Sequence, residues 1–207
     1  IEAHGVTVLP LGYTIAGETY GGIEGKQLPP KEFYRLLREG NVCHTFQVTA
    51  EQAKPSVEAS FKAGRDVVIV TFSSALSGTA SSFTIAANEL MEKYPARKTF
   101  IVDSLGGSLG EGMLLEYLVK KADAGASIEE VYAYGDWLRH RIAYLFTVDD
   151  LDCLRRGGRI SGAVAVVGKL LKIKPLLHAN PKGLLMPIAK IVGRKRSLEA
   201  PADEAGK

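Results

Sequence analysis

Six consecutive residues, Val67-Val68-Ile69-Val70-Thr71-Phe72, constrain the fold more than any other part of the chain. The run is apolar and β-branched without alternation, so it belongs to a strand covered on both faces. It stops in small polar residues, Ser73-Ser74-Ala75-Leu76-Ser77-Gly78-Thr79, and a helical pattern over 81–92 begins at once. Strand, short polar turn, helix places the turn at the carboxyl end of a strand, where open α/β sheets bind ligands. The helix start adds unpaired N–H groups and a positive dipole end. Ser77, Gly78 and Thr79 are therefore candidates for holding an oxyanion.

The same grammar repeats downstream. Residues 98–104 read as a second buried strand, Leu105-Gly106-Gly107-Ser108 as its turn, and 109–122 as a helix. A further helix over 128–142 precedes a third strand over 143–148. Alternating strands and helices with short turns predict a doubly wound, mainly parallel α/β domain over 1–148. Upstream, 5–15 reads as a strand and 17–26 as a glycine-rich surface loop without a nucleotide-binding pattern. A helix fits 29–39. Thr49 and Gln52 have capping-box spacing, but Pro55 places the regular part of the next helix at 55–63.

The pattern changes at Asp149. A short helix over 149–156, glycines around Arg159, a small-residue helix over 163–171, and a hairpin (173–178 and 184–192 around Asn180-Pro181-Lys182-Gly183) lead to a last helix from Gly193. These predict a second, smaller α/β domain over 149–207, too short for an independent core.

A net charge of +3 with 24% charged residues does not call for nucleic acid. No apolar run is long enough to span a bilayer, and no charged segment followed by an apolar one opens the chain. A cytoplasmic location without stable membrane insertion is the expectation. Cys43 and Cys153 read as free thiols. No metal-ligand spacing occurs, so neither a metal nor a cofactor is expected.

Several segments together resemble the DegV family of bacterial fatty-acid-binding proteins. LRRGGRISG, the small-residue helix, LKIKPLL and KIVGRKRSL (154–198) are similar to that family's second-domain signature. SSALSGT resembles its first-domain ligand turn, VDSLGGSLGEG its next strand and turn, and HTFQVT its Thr-Ser-Gln-Pro-Ser segment. Phe46, Val48 and Thr49 depart from the last pattern. Family members carry a strand before the equivalent of Ile1 and more chain after that of Lys207. The resemblance implies two α/β domains with an acyl chain between them and binding rather than turnover. The bound ligand would be a long-chain fatty acid, presented to a partner fatty acid kinase that feeds phospholipid synthesis. It further implies that Thr45 and Ser77 bond the carboxylate, that Gly78 lends a backbone N–H, and that Arg159 is a basic neighbour. Arg194, Lys195 and Arg196 would meet the kinase.

Other readings of the same residues stand beside this one. Ser77 and Thr79 also suit a helix cap without a ligand. A serine nucleophile would need one of His4, His44, His140 or His178 as base. The Arg194 cluster alone would suit a non-lipid interaction domain. Ala163, Val164, Val166, Val167, Leu170, Leu177 and Ile188 fit an acyl channel and plain core packing equally.

Overall fold

The computed structural model describes residues 4–23, 25–149, 151–160 and 173–206. Its centre is a parallel pair, β4 (Val67–Thr71) and β5 (Thr99–Asp103), in register from Val67 opposite Thr99 to Thr71 opposite Asp103. The unbroken apolar run has a direct cause. Val67, Ile69 and Ile101 pack on one side with Val57, Phe61, Phe83 and Leu90. Val68, Val70 and Val102 pack on the other with Leu114, Leu118 and Val131. Successive side chains of a strand alternate between faces, so a strand buried on both must be apolar throughout.

The helices supplying those covers are α2 (Ala50–Lys62) and α3 (Thr79–Lys93) on the first face, and α4 (Ser108–Asp123) and α5 (Ile128–Leu138) on the second. Thus the chain is a mixed α/β protein with helices on both faces of a parallel sheet, as the sequence predicts. The capping box decides where α2 starts. Thr49 and Gln52 satisfy each other's backbone N–H groups, and the helix begins at Ala50, ahead of Pro55 rather than at it. The two orphan donors satisfied at the start outweigh the one ladder bond that Pro55 removes. Ser127 and Glu130 cap α5 in the same way.

An antiparallel sheet precedes the core, in the order β2 (Glu18–Gly21), β1 (Gly12–Ile15), β3 (His44–Phe46). Part of the segment expected as a glycine-rich loop is therefore strand β2. The two-residue turn Ala16-Gly17 closes the hairpin, with Ala16 at φ 52°. Alanine seldom occupies that region, and for this reason the turn is hidden in the sequence. Helix α1 (Pro30–Arg38) lies between β2 and β3 in the chain.

The third sheet is antiparallel, β6 (Leu145–Thr147), β7 (Ile173–Ala179), β8 (Leu185–Val192). Residues 143–148 thus supply a strand, but it joins the hairpin rather than the parallel pair. Short apolar runs do not reveal their partner strand. Helix α6 (Asp152–Arg156) and the final helix α7 (Arg194–Ala205) complete the described elements. Leu177 is fully buried with Leu151 and Ile160, whereas Ile188 is 42% exposed on β8. The expected channel residues Ala163, Val164, Val166, Val167 and Leu170 lie outside the described residues. Among the described residues no helix is long and apolar enough to cross a membrane.

Candidate binding site at the strand-end turns

The turn after β4 begins with a buried joint. Ser73 is fully buried; its Oγ donates to Gly183 O at 3.0 Å, and its N donates to Gly106 O at 2.8 Å. One residue thereby ties the β4 turn to the β5 turn and to the β7–β8 hairpin. Ser74 adds a second tie. Its N and Oγ donate to the Asp103 carboxylate at 3.1 and 2.5 Å, which also accepts from Leu105 N at 3.0 Å. Asp103 is engaged in holding the two turns together.

Leu76, Ser77, Gly78 and Thr79 then form the lip of the turn. Gly78 is the N-cap of α3, without a side-chain cap. The hydroxyls expected as caps flank it instead: Ser77 Oγ and Thr79 Oγ1 lie 2.8 Å apart, and Ser77 Oγ accepts from Thr79 N at 3.3 Å. Two hydroxyls carry two protons, and their mutual bond uses one. Among the described residues the other has no acceptor, and it lies beside first-turn N–H groups that the helix cannot satisfy itself. Ser77 is half-buried and Thr79 buried.

Two distant segments close on this lip. Gln47, just beyond β3, sits against Gly78 so closely that a Cβ there would lie 2.3 Å from Gln47 Oε1. Its Nε2 donates to Ser82 Oγ at 2.9 Å, which fixes the amide over the first turn of α3. From the other direction Arg159 Nε donates to Leu76 O at 3.0 Å, and Arg159 Nη1 donates to Gly157 O. Neither bond uses Nη2, so the guanidinium keeps donor capacity and its charge beside Ser77. Reasoning from sequence named Arg159 but missed Gln47. The signal was there: within HTFQVT, Gln47 keeps the glutamine of the family pattern while Phe46 and Val48 depart from it.

The remaining candidates are placed differently. Thr45 is exposed on β3, paired across the sheet with Tyr13. Among the described residues no hydrogen bond joins it to the turn, and Gln47 makes that connection. Arg194, Lys195 and Arg196 are exposed at the start of α7, and Arg194 Nε lies 4.0 Å from Asp149 Oδ1. Lys174 holds the same carboxylate at 2.9 Å and keeps Asp149 below the usual carboxylate range. The serine-nucleophile arrangement is not assembled: Ser77 Oγ bonds to Thr79, and no described histidine bonds to it. His4 faces Asp123 at 3.0 Å instead.

Behind the second turn, Tyr144 donates to Ser104 O at 2.7 Å, and burial pushes its phenol up to about 12. Burial, aided by the Asp103 charge, also pushes Glu111 up to about 7. An acid whose folded pKa is raised binds more protons folded than unfolded between about pH 4.5 and 7. Its contribution is therefore most favourable below that window and is lost as pH rises through it. Glu111→Gln is expected to stabilise the protein above pH 7, on the order of 2 kcal/mol after allowance for solvent screening, and to change little at pH 4.5. Urea midpoints of both proteins at the two pH values test this; equal differences at both would overturn it.

An α/β protein with hydroxyl, amide and guanidinium donors gathered at the end of a parallel strand has the equipment of an anion-binding fold. The chain belongs to the DegV family: the model of that family, described as an uncharacterised protein, matches residues 1–205. A DegV domain-containing protein of Clostridium perfringens is 44% identical over 84% of this chain. One of Lactococcus lactis is 36% identical over 96% of it. The chain spans 60% of the length of the first and 68% of the second. Among solved structures, a DegV family protein from Thermus thermophilus, described for its fatty acid binding, is 31% identical. It superposes with a TM-score of 0.84, covering 99% of this chain and 71% of that one. The fatty acid kinase B3 protein of Streptococcus pneumoniae, loaded with linoleic acid, is 26% identical, with a TM-score of 0.82 over 96% of this chain and 69% of its own.

Proposed function

We propose that this protein binds a long-chain fatty acid and presents its carboxylate to a partner fatty acid kinase, without itself turning the ligand over. The acyl chain lies between the two parts of the chain, 1–148 and 149–207, and the carboxylate sits at the Ser77–Thr79 lip. The observation that carries this reading is the convergence of Gln47 and Arg159 on that lip from segments remote in sequence. The fatty acid binding described for the Thermus protein and the linoleic acid loaded on the Streptococcus one support the choice of ligand.

The chemistry is consistent. A carboxylate accepts charge-assisted bonds from a hydroxyl and a guanidinium, which are stronger than neutral ones. Methylene burial at about 0.8 kcal/mol each supplies most of the affinity, and the polar lip fixes direction. The full-length protein, purified and extracted with organic solvent, is expected to release a stoichiometric fatty acid by mass spectrometry. Extracts without one would end the proposal.

Lys195 and Arg196 are the stronger partner-facing cations, since Asp149 partly neutralises Arg194. Charge reversal of both is expected to lower acyl-phosphate formation with the kinase by about tenfold at low salt, through slower encounter. Fatty acid content should not change. Loss of bound lipid in the variant would instead place these residues in the pocket.

A further inference from the structure

Gln47 presents the wrong atom to an anion. Its side-chain amide fills the space over Gly78: a Cβ there would lie 2.3 Å from Oε1, 2.9 Å from Nε2 and 3.0 Å from Cδ. Nε2 donates to Ser82 Oγ at 2.9 Å, one turn into α3, and Oε1 is left as the amide atom nearest to Gly78. Among the described residues Oε1 accepts no hydrogen bond, and the hydroxyl proton of Ser82 meets no acceptor. Ser82 is buried and Gln47 half-buried.

A primary amide carries an acceptor on one side and two donors on the other, and a serine hydroxyl can accept or donate. Rotating the Gln47 amide by half a turn therefore keeps one bond to Ser82, with Oγ–H now donating to Oε1. It also replaces a lone-pair face at the lip with the N–H groups of Nε2. Without a ligand the two seatings make the same number of hydrogen bonds. A carboxylate only accepts, and so it separates them.

We propose that the Gln47 amide, anchored by Ser82 and turned with Nε2 toward Gly78, donates to the headgroup held at the lip, and that this contact selects an ionised acid over an uncharged headgroup on the same chain. The inference rests on the fatty-acid reading for its ligand. Gln47 is then a ligand-binding residue and Ser82 a positioning residue. The absence of a side chain at Gly78 follows from the same contact. Its φ of −77° suits any residue, and it is the amide that occupies the side-chain space.

The test compares hexadecanoic acid with hexadecan-1-ol as displacers of a fluorescent fatty acid from the full-length protein at pH 8. Gln47→Met keeps the length of the side chain, removes its donors and adds no charge. It is expected to weaken the acid by about tenfold, the scale of a hydrogen bond to a charged group, and the alcohol by less than threefold. Ser82→Ala should show a severalfold loss confined to the acid. Gly78→Ala, which displaces the amide without straining the backbone, should match Gln47→Ala on the acid, and the two together should be no worse than Gln47→Ala alone. Equal losses for acid and alcohol in Gln47→Met would reduce Gln47 to packing and overturn the proposal, as would an unchanged acid affinity. Additive losses in the Gly78 and Gln47 pair would overturn the contact at Gly78. A wild-type protein that takes up no fatty acid at all would reject the fatty-acid reading, and the donor role with it.

Discussion

On the proposed function, Ser77→Ala is expected to lower fatty acid affinity by roughly 10- to 100-fold while the protein still folds cooperatively. A hydrogen bond to a charged group contributes about 1.5–3 kcal/mol, and that range sets the expected loss. The structural cost is smaller. Ser77 Oγ accepts from Thr79 N at 3.3 Å and shares a proton with Thr79 Oγ1 at 2.8 Å, a cap-like arrangement whose loss costs about 1 kcal/mol. Displacement of a fluorescent fatty acid measures the first effect and urea unfolding the second. Unchanged affinity would leave Ser77 as part of a helix start with no ligand role, and would move attention to Arg159 and Gln47.

Gly183→Ala destabilises the fold by about 2–4 kcal/mol, the larger of the stability effects considered for this chain. Gly183 has φ 75°, a region that costs an L-residue. A Cβ there would also stand 2.2 Å from Ser73 Oγ and 3.3 Å from Leu105 Cα. Ser73 would have to move, and it is fully buried with its hydroxyl donating to Gly183 O. Backbone strain and the loss of a buried hydrogen bond therefore act together. Gly125→Ala separates them: φ is 85° there, but the space around it is open. It should cost only the strain, about 1 kcal/mol. Denaturant midpoints that fall equally in both variants would show that the Ser73 joint is energetically unimportant.

Glu111 carries a related lesson, since it is not interpretable from its own neighbours in sequence. Burial on α4 pushes the Glu111 carboxyl up, with the Asp103 charge adding to it.

The local elements were legible because local physics decides them. A strand covered on both faces must be apolar along its whole length, so Val67–Thr71 announced both itself and its helical covers. Asn180 and Gly183 announced the β7–β8 turn. Reciprocal caps at Thr49–Gln52 and Ser127–Glu130 have fixed spacing. In each case the interacting groups are close in the chain. Pairing is different. Whether 143–148 joined the parallel pair or the hairpin depended on what lay beside it after folding, and a three-residue strand carries too little pattern to say. The candidate lip divides in the same way. Residues alone marked Ser77-Gly78-Thr79 as a place where an anion could sit, since strand end, hydroxyls and helix start are contiguous. Only tertiary structure placed Gln47 against Gly78, Arg159 on Leu76 and Ser73 on Gly183. Those contacts join segments about 30 to 110 residues apart, and chain proximity cannot encode which of many polar side chains ends at a given turn.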